Sequence, residues 1–276
     1  MLPVLPTSLN PELRDVWKQF DGIVVITLVN EGRIENIDDM SKLVHLSGLS
    51  NCEIFYAKRH PKGGAMGCFD SHRQVAMIAK EKGWRNVVVF EDDFFPTYYL
   101  TPKALQDCVD FVKSDVEWDV LYMGGMPCGF VNPSRPVKGW DTILRCPTSM
   151  FQTHSYVMSK NMIDFMASID HTVKIEYDKL TSIVRSYYYH NLLFAQQLAD
   201  STIETTTAMN YSKSASIMIH QSWYKFEQMG ISMVTFLIFV IAFMFLYIIP
   251  MPPFVRLFMF SATLLTFILL AVFVRC

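Results

Sequence analysis

The sequence predicts an α/β protein: a Rossmann-type mixed sheet with helices on both faces, followed by a C-terminal two-helix transmembrane hairpin. Three observations predict it. Strand-length apolar runs alternate with amphipathic segments over about 125 residues, the pattern of a sheet covered by helices. One run, Asn86-Val-Val-Val-Phe-Glu91-Asp92-Asp93-Phe-Phe-Pro96, is apolar on both faces and ends in three consecutive carboxylates. Near the C-terminus lie two long apolar stretches, 231–249 with no charge and 254–274 with Arg256 as its only one.

The elements follow in order. Residues 21–29 are apolar throughout, as a strand buried on both faces requires. Residues 37–46 carry apolar residues at roughly helical spacing, and 52–57 read as a second strand. The glycine-rich stretch 62–67 reads as a flexible loop. Ser71 with Gln74 forms a capping-box pattern that opens a helix, and Gly83 ends it. The acidic strand comes next. Thr101-Pro102 starts another helix, with proline at its first position and Leu105, Val109 and Val112 along one stripe. Residues 118–125 form a further strand ending in a tight turn. Short strands are expected at 142–145 and 155–158, and helices at 161–168 and 178–189.

Composition limits the function classes. Hydrophobic residues make up 51% of the 276 and mean hydropathy is +0.23, a surplus that sits in the two C-terminal stretches. Each is long enough to span a bilayer, which takes ~20 apolar residues, and neither has a polar face. The proline-rich turn at 250–253 folds them into a hairpin. Lys213, Lys225 and Arg275 flank one end of it and Arg256 the other, a bias that favours a cytosolic catalytic domain. Residues 1–10 lack the charged and apolar regions of a signal peptide. The six cysteines have neither close pairing nor metal-type spacing, as fits reduced thiols. Net charge is −2 and there is no basic stripe, so nucleic acid is a poor partner. The expected organisation is an N-terminal extension at 1–20, a globular domain at 21–209, a linker at 210–229 and a membrane hairpin at 230–276.

Three acids at a strand's carboxyl end lie where open α/β sheets bind ligands. Their mutual repulsion is relieved by a hard divalent cation that keeps positions open for substrate phosphates. A solvated loop or a helix cap is the bland alternative for Glu-Asp-Asp alone.

Gly67-Cys68-Phe-Asp-Ser71-His72, the strand ending in Glu91-Asp92-Asp93, and Trp118-Asp-Val-Leu-Tyr-Met-Gly124 together resemble glycosyltransferase family 25, which contains the lipopolysaccharide-type and procollagen galactosyltransferases. Weaker matches follow at Thr153-His-Ser-Tyr156, at Ile175-Glu-Tyr-Asp178 and at Leu193-Phe-Ala-Gln-Gln197, so the resemblance covers roughly 21–205. It implies a GT-A-like fold and inverting transfer of a sugar, a hexose, from a nucleotide-sugar donor, with a UDP-sugar favoured. The acceptor would be a hydroxyl on a glycan, a lipid-linked glycan or a protein. Mn²⁺ or Mg²⁺ would stabilise the leaving diphosphate as a Lewis acid.

By the same resemblance, Asp93 is the principal metal ligand, with Glu91 beside it, and Glu91 and Asp92 also serve the donor ribose. Asn30, Ser71 and His72 are donor-binding candidates, the last two near a helix N-terminus that attracts phosphate. Asp178 is the candidate base for the acceptor hydroxyl, or else a helix N-cap. Cys68 reads as a small packing residue. The chain departs from the family at Leu28-Val-Asn30, at a lone Arg33 and at His154, where the family has a small residue. Those departures motivate the rival reading of a catalytically inactive domain kept as a membrane scaffold or binding module. A phosphoryl-transfer domain ranks last, because no Asp-x-Asp-x-Thr is present.

Overall fold

The structure, a computed structural model, describes residues 11–28, 44–49, 51–128, 134–146, 149–151, 153–170 and 183–196, with 255 and 261 as single positions. The first half holds α1 (Pro11–Trp17), β1 (Gly22–Thr27), β2 (Cys52–Tyr56), α2 (Gly64–Glu81), β3 (Asn86–Glu91), β4 (Phe94–Pro96) and α3 (Pro102–Val112). There follow β5 (Val120–Tyr122), β6 (Met126–Cys128), β7 (Arg135–Val137), β8 (Trp140–Arg145), β9 (Ser149–Phe151), β10 (Ser155–Ser159), α4 (Lys160–Ser168), β11 (Ser186–Tyr189) and β12 (Phe194–Gln196).

Eight strands form one mixed sheet in the order β2-β1-β3-β10-β5-β11-β8-β7. β2, β1 and β3 run parallel, and β10 lies antiparallel between β3 and β5. Two small antiparallel pairs, β12-β4 and β6-β9, stand apart from it. Strand alternation explains why the central runs are apolar throughout. Ile23, Val25, Val88, Phe90 and Leu121 face α1 and α3, whereas Val24, Ile26, Val87, Val89 and Val120 face α2 and α4. Helices therefore cover both faces, as the sequence predicts.

Residues 11–20, expected as an extension, belong to this core. Trp17 is fully buried, donates Nε1–H to the Ser47 carbonyl at 3.0 Å, and its ring lies 6.1 Å from that of Phe90.

Three expectations are corrected. The stretch 62–67 is not a flexible loop, and Ser71 does not open a helix. α2 begins at Gly64, after Gly63 at φ 102° and ψ 172°, a conformation that only glycine adopts without strain. Ser71 sits mid-helix and its hydroxyl donates to the Gly67 carbonyl at 2.7 Å, the i−4 back-bond open to a helical serine. The helix at 178–189 is likewise replaced at its end by β11. Its Ser-Tyr-Tyr-Tyr is buried throughout between β5 and β8, a setting in which aromatic side chains favour strand. Asp178 itself lies outside the described residues, as do Asn30, Arg33 and, apart from 255 and 261, the linker and hairpin at 210–276. Among the described residues no helix is long and apolar enough to cross a membrane.

The start of β11 is tied to β5 by one charged clamp. Arg185 donates Nε–H to Asp119 Oδ2 at 3.0 Å, Nη2–H to Oδ1 at 2.9 Å and its backbone N–H to Oδ2 at 2.8 Å. Burial pushes the Asp119 carboxyl up, but the hydrogen bonds and charge of Arg185 together hold it below its ordinary 3.8. A depressed folded value means stabilisation that is complete above the unfolded value and lost as pH falls through the folded one. Asp119→Asn is expected to cost about 1–2 kcal/mol at neutral pH. That is the lower part of the range for charged hydrogen bonds, because Arg185 keeps 35% of its side chain in water. Urea unfolding from pH 7 to pH 3 checks it: the gap between native and variant should close in acid.

Candidate functional site

β1 is followed by β2 on one side of it and then by β3 on the other, so the chain reverses direction across the sheet at β1. Open α/β sheets bind ligands outside the carboxyl ends of the strands at such a point. A cavity of about 300 Å³ lies there. It is walled by Thr27 and Leu28 at the end of β1, by Lys58, Arg59 and His60 after β2, by Glu91 and Asp92 at the end of β3, by Gly63 just before α2, and by Gly64, Cys68, Ser71 and His72 of α2. One wall is thus basic and ends in a helix start with no side-chain cap and no acid in its first turn. The opposite wall is acidic. Bare helix N-terminal amides and cations together suit a phosphate group.

Alternation along β3 builds the acidic wall. Val87 and Val89 face α2, so Glu91, two residues on, meets the same helix. There it finds the polar end of a buried stripe, because Cys68, His72, Val75 and Ala79 recur at helical spacing on one face of α2. His72 is buried, and its Nε2 lies 3.1 Å from Glu91 Oε1. Its Nδ1 lies 2.6 Å from the hydroxyl of Tyr156, which β10 places beside Val89. A carboxylate only accepts, so in neutral His72 the proton sits on Nε2, and Nδ1 accepts from Tyr156. The Cys68 thiol donates to the same Glu91 oxygen at 3.9 Å.

The other two acids turn elsewhere. Asp92 Oδ2 accepts from the Thr27 hydroxyl at 3.0 Å and from the Leu28 backbone N–H at 3.1 Å, tying the ends of β1 and β3 together. Asp93 Oδ2 accepts from Gln196 Nε2 at 2.9 Å, and Asp93 is not among the residues lining the cavity. Gln196 is delivered by the β4–β12 pair, anchored by the packed rings of Phe90, Phe94 and Phe194, tilted in one pair and edge-on in the other. The structure therefore brings Ser71, His72, Glu91 and Asp92 to one cavity and places Asp93 behind it. Among the described residues the group whose ligand atoms converge is Cys68, His72 and Glu91, all within 4.8 Å of one another. The three consecutive carboxylates turn to different partners: Glu91 to His72 and Cys68, Asp92 to Thr27 and Leu28, and Asp93 to Gln196.

Sequence reasoning passed over Lys58-Arg59-His60, although a basic run directly after a strand carries the same positional signal as the acids. It also passed over Gln196 as a cavity residue. His72 lies well inside α2, eight positions from Gly64; the helix start that faces the cavity is Gly63-Gly64.

No family model matches the chain. Over 125 residues, 42% of this chain and 20% of the relative, it is 26% identical to procollagen galactosyltransferase 1-A of Xenopus laevis. Over 149 residues, 53% of this chain and 24% of the relative, it is 26% identical to procollagen galactosyltransferase 1 of Danio rerio. The homology is weak and partial, and the aligned part is less than a quarter of either relative's length. Among solved structures, the inositol-1-phosphate CTP transferase from T. maritima aligns over 75% of this chain and 97% of that one, at a TM-score of 0.41 and 11% identity. UDP-glucose pyrophosphorylase complexed with UDP-glucose aligns over 78% and 85%, at a TM-score of 0.36 and 8% identity.

Proposed function

We propose that this chain is a sugar-nucleotide-using transferase that moves a hexose, with galactose the first to test, from a UDP-sugar to a hydroxyl of a glycan, lipid-linked glycan or protein. The observation that carries the proposal is the two-sided cavity at the ends of β1, β2 and β3. Lys58, Arg59 and the start of α2 suit the donor diphosphate. Across from them, Asp92 is fixed by Thr27 and Leu28, a carboxylate held ready to accept from ribose hydroxyls. The partial likeness to procollagen galactosyltransferases supports the same reading.

Within the proposal Asp93 and Glu91 remain the ligands assigned to Mn²⁺ or Mg²⁺, and Asp178 the base of an inverting displacement. Calorimetry with UDP-galactose, UDP-glucose and GDP-mannose, with and without Mn²⁺, tests the donor assignment. A UDP-sugar should bind, and Lys58→Ala/Arg59→Ala should weaken it at least about tenfold, as loss of two phosphate-facing cations implies. If no nucleotide sugar binds the folded chain, the inactive scaffold is the better account.

Membrane tethering by 231–249 and 254–274, with the transferase domain on the cytosolic side, belongs to the same proposal. The expected result is retention in the membrane pellet after an alkaline carbonate wash, together with cleavage of the domain by protease added to sealed vesicles whose cytosolic face is outward. Release of the full chain into the supernatant would remove the tether.

A further inference from the structure

We propose that Cys68, His72 and Glu91 form a binding site for a borderline-soft divalent metal of the zinc class, with its remaining coordination position open to the cavity. The inference stands on ligand geometry and holds whether or not the transferase reading does. It differs in metal class and in two of its three ligands from the assignment of Mn²⁺ or Mg²⁺ to Asp93 and Glu91, with which it shares Glu91.

The ligand atoms are the Cys68 sulfur, His72 Nε2 and a Glu91 carboxylate oxygen, and they lie within 4.8 Å of one another. Zinc binds sulfur at about 2.3 Å and nitrogen or oxygen at about 2.0–2.2 Å in a tetrahedron, so neighbouring ligands end up roughly 3.3–3.6 Å apart. His72 Nε2 and Glu91 Oε1 are 3.1 Å apart, and the Cys68 sulfur is 3.9 Å from the same oxygen. The third pair, the Cys68 sulfur and His72 Nε2, lies within 4.8 Å, so the sulfur has at most about 1.2 Å to move inward to complete the figure. Cys68 and His72 are four residues apart on α2, which places them on one face, one turn apart, and β3 supplies Glu91 from the facing strand.

Around those ligands, Tyr156 occupies the position usually filled by the partner of a ligating histidine. Its hydroxyl lies 2.6 Å from His72 Nδ1, on the nitrogen that does not face Glu91. With Nε2 on a metal, Nδ1 carries the proton and Tyr156 accepts it, fixing the ring. Charge also balances: a thiolate and a carboxylate neutralise a divalent cation. As the structure stands, two hydrogen-bond donors, the Cys68 thiol and His72 Nε2–H, converge on Glu91, and the metal takes the place of both protons.

Three protein ligands beside a cavity match the open arrangement of a metal that binds a further small ligand, rather than the closed arrangement of a structural site. A sulfur ligand selects zinc or cobalt over magnesium and manganese.

The test is a Co²⁺ titration of the full chain, purified metal-free under reducing conditions and followed by absorption. The native protein should develop thiolate-to-cobalt charge-transfer absorption that saturates near one equivalent and is displaced by Zn²⁺ but not by excess Mg²⁺. Cys68→Ser should lose that absorption, with affinity reduced at least about tenfold, while Asp93→Asn keeps it. Zinc X-ray absorption on the native chain should find sulfur bonded to the metal, a readout that needs no variant and survives any folding defect in Cys68→Ser. Absence of sulfur ligation in the native protein, or identical cobalt spectra in native and Cys68→Ser, would overturn the proposal.

Discussion

Asp92→Ala is expected to lose both the anchored tip of β1 and β3 and the ligand affinity of the cavity, whereas Asp92→Asn is expected to lose only the second. The buried carboxylate of Asp92 accepts from Thr27 Oγ1 and from the Leu28 N–H. Alanine removes the acceptor from both donors. A buried donor stripped of its partner costs about 1–3 kcal/mol. The Thr27 hydroxyl can rotate toward another acceptor, so the pair should cost about 2–4 kcal/mol. Asparagine retains a carbonyl oxygen for the same two donors and should stay within about 1 kcal/mol of native, since it exchanges charged for neutral hydrogen bonds. Urea unfolding separates the two variants on stability. Calorimetry with UDP-galactose then isolates the charge: the asparagine variant, folded and still hydrogen-bonded, should bind at least about tenfold more weakly. Native-like donor affinity in Asp92→Asn would mean that the carboxylate serves the fold alone.

The same residues indicate which features were legible in the sequence. β1 and β3 were, because their central residues, 23–26 and 87–90, are apolar without a break and both faces of the sheet carry helices. α3 was legible from its cap, since Thr101 does accept from the Ala104 N–H at 3.1 Å. The start of α2 was not. Ser71 and Gln74 match a local capping pattern, but the helix gains more by extending seven residues further back, where Met66 and Phe69 are buried, and tertiary burial outweighs cap chemistry. β11 was misread for the opposite reason. A run of tyrosines has no period of its own, and only the slot between β5 and β8 decides its conformation.

At the site, the carboxylates announced themselves by position. Their divergence did not, because it depends on Gln196, more than a hundred residues from Asp93, and on β1 reaching Asp92. The Cys68–His72–Glu91 group was half visible as a cysteine and a histidine four apart. Its third member arrives from another element, at a distance along the chain that no spacing rule covers.

Gly124→Ala is expected to cost about 3 kcal/mol or more, at the upper end of the usual cost of an added methyl group in a packed core. A Cβ at Gly124 would lie 2.5 Å from His154 Nε2 and 2.5 Å from the Phe194 carbonyl oxygen. Neither can easily withdraw. The Phe194 backbone is held because Leu193 and Phe194 both donate to the Met123 carbonyl, at 3.0 and 3.1 Å. His154 is buried and donates Nε2–H to that same Phe194 oxygen at 3.2 Å. Relief by moving β12 would pull Gln196 from Asp93, so donor binding should weaken along with stability. Adding His154→Ala removes one of the two clashes and should restore only part of the loss, a non-additive pair that a double-mutant cycle measures. Full rescue would mean that the Phe194 backbone yields, and no destabilisation in the single variant would mean that β12 is not fixed as described. His154 thus packs over Gly124 and locks β12 beside the cavity.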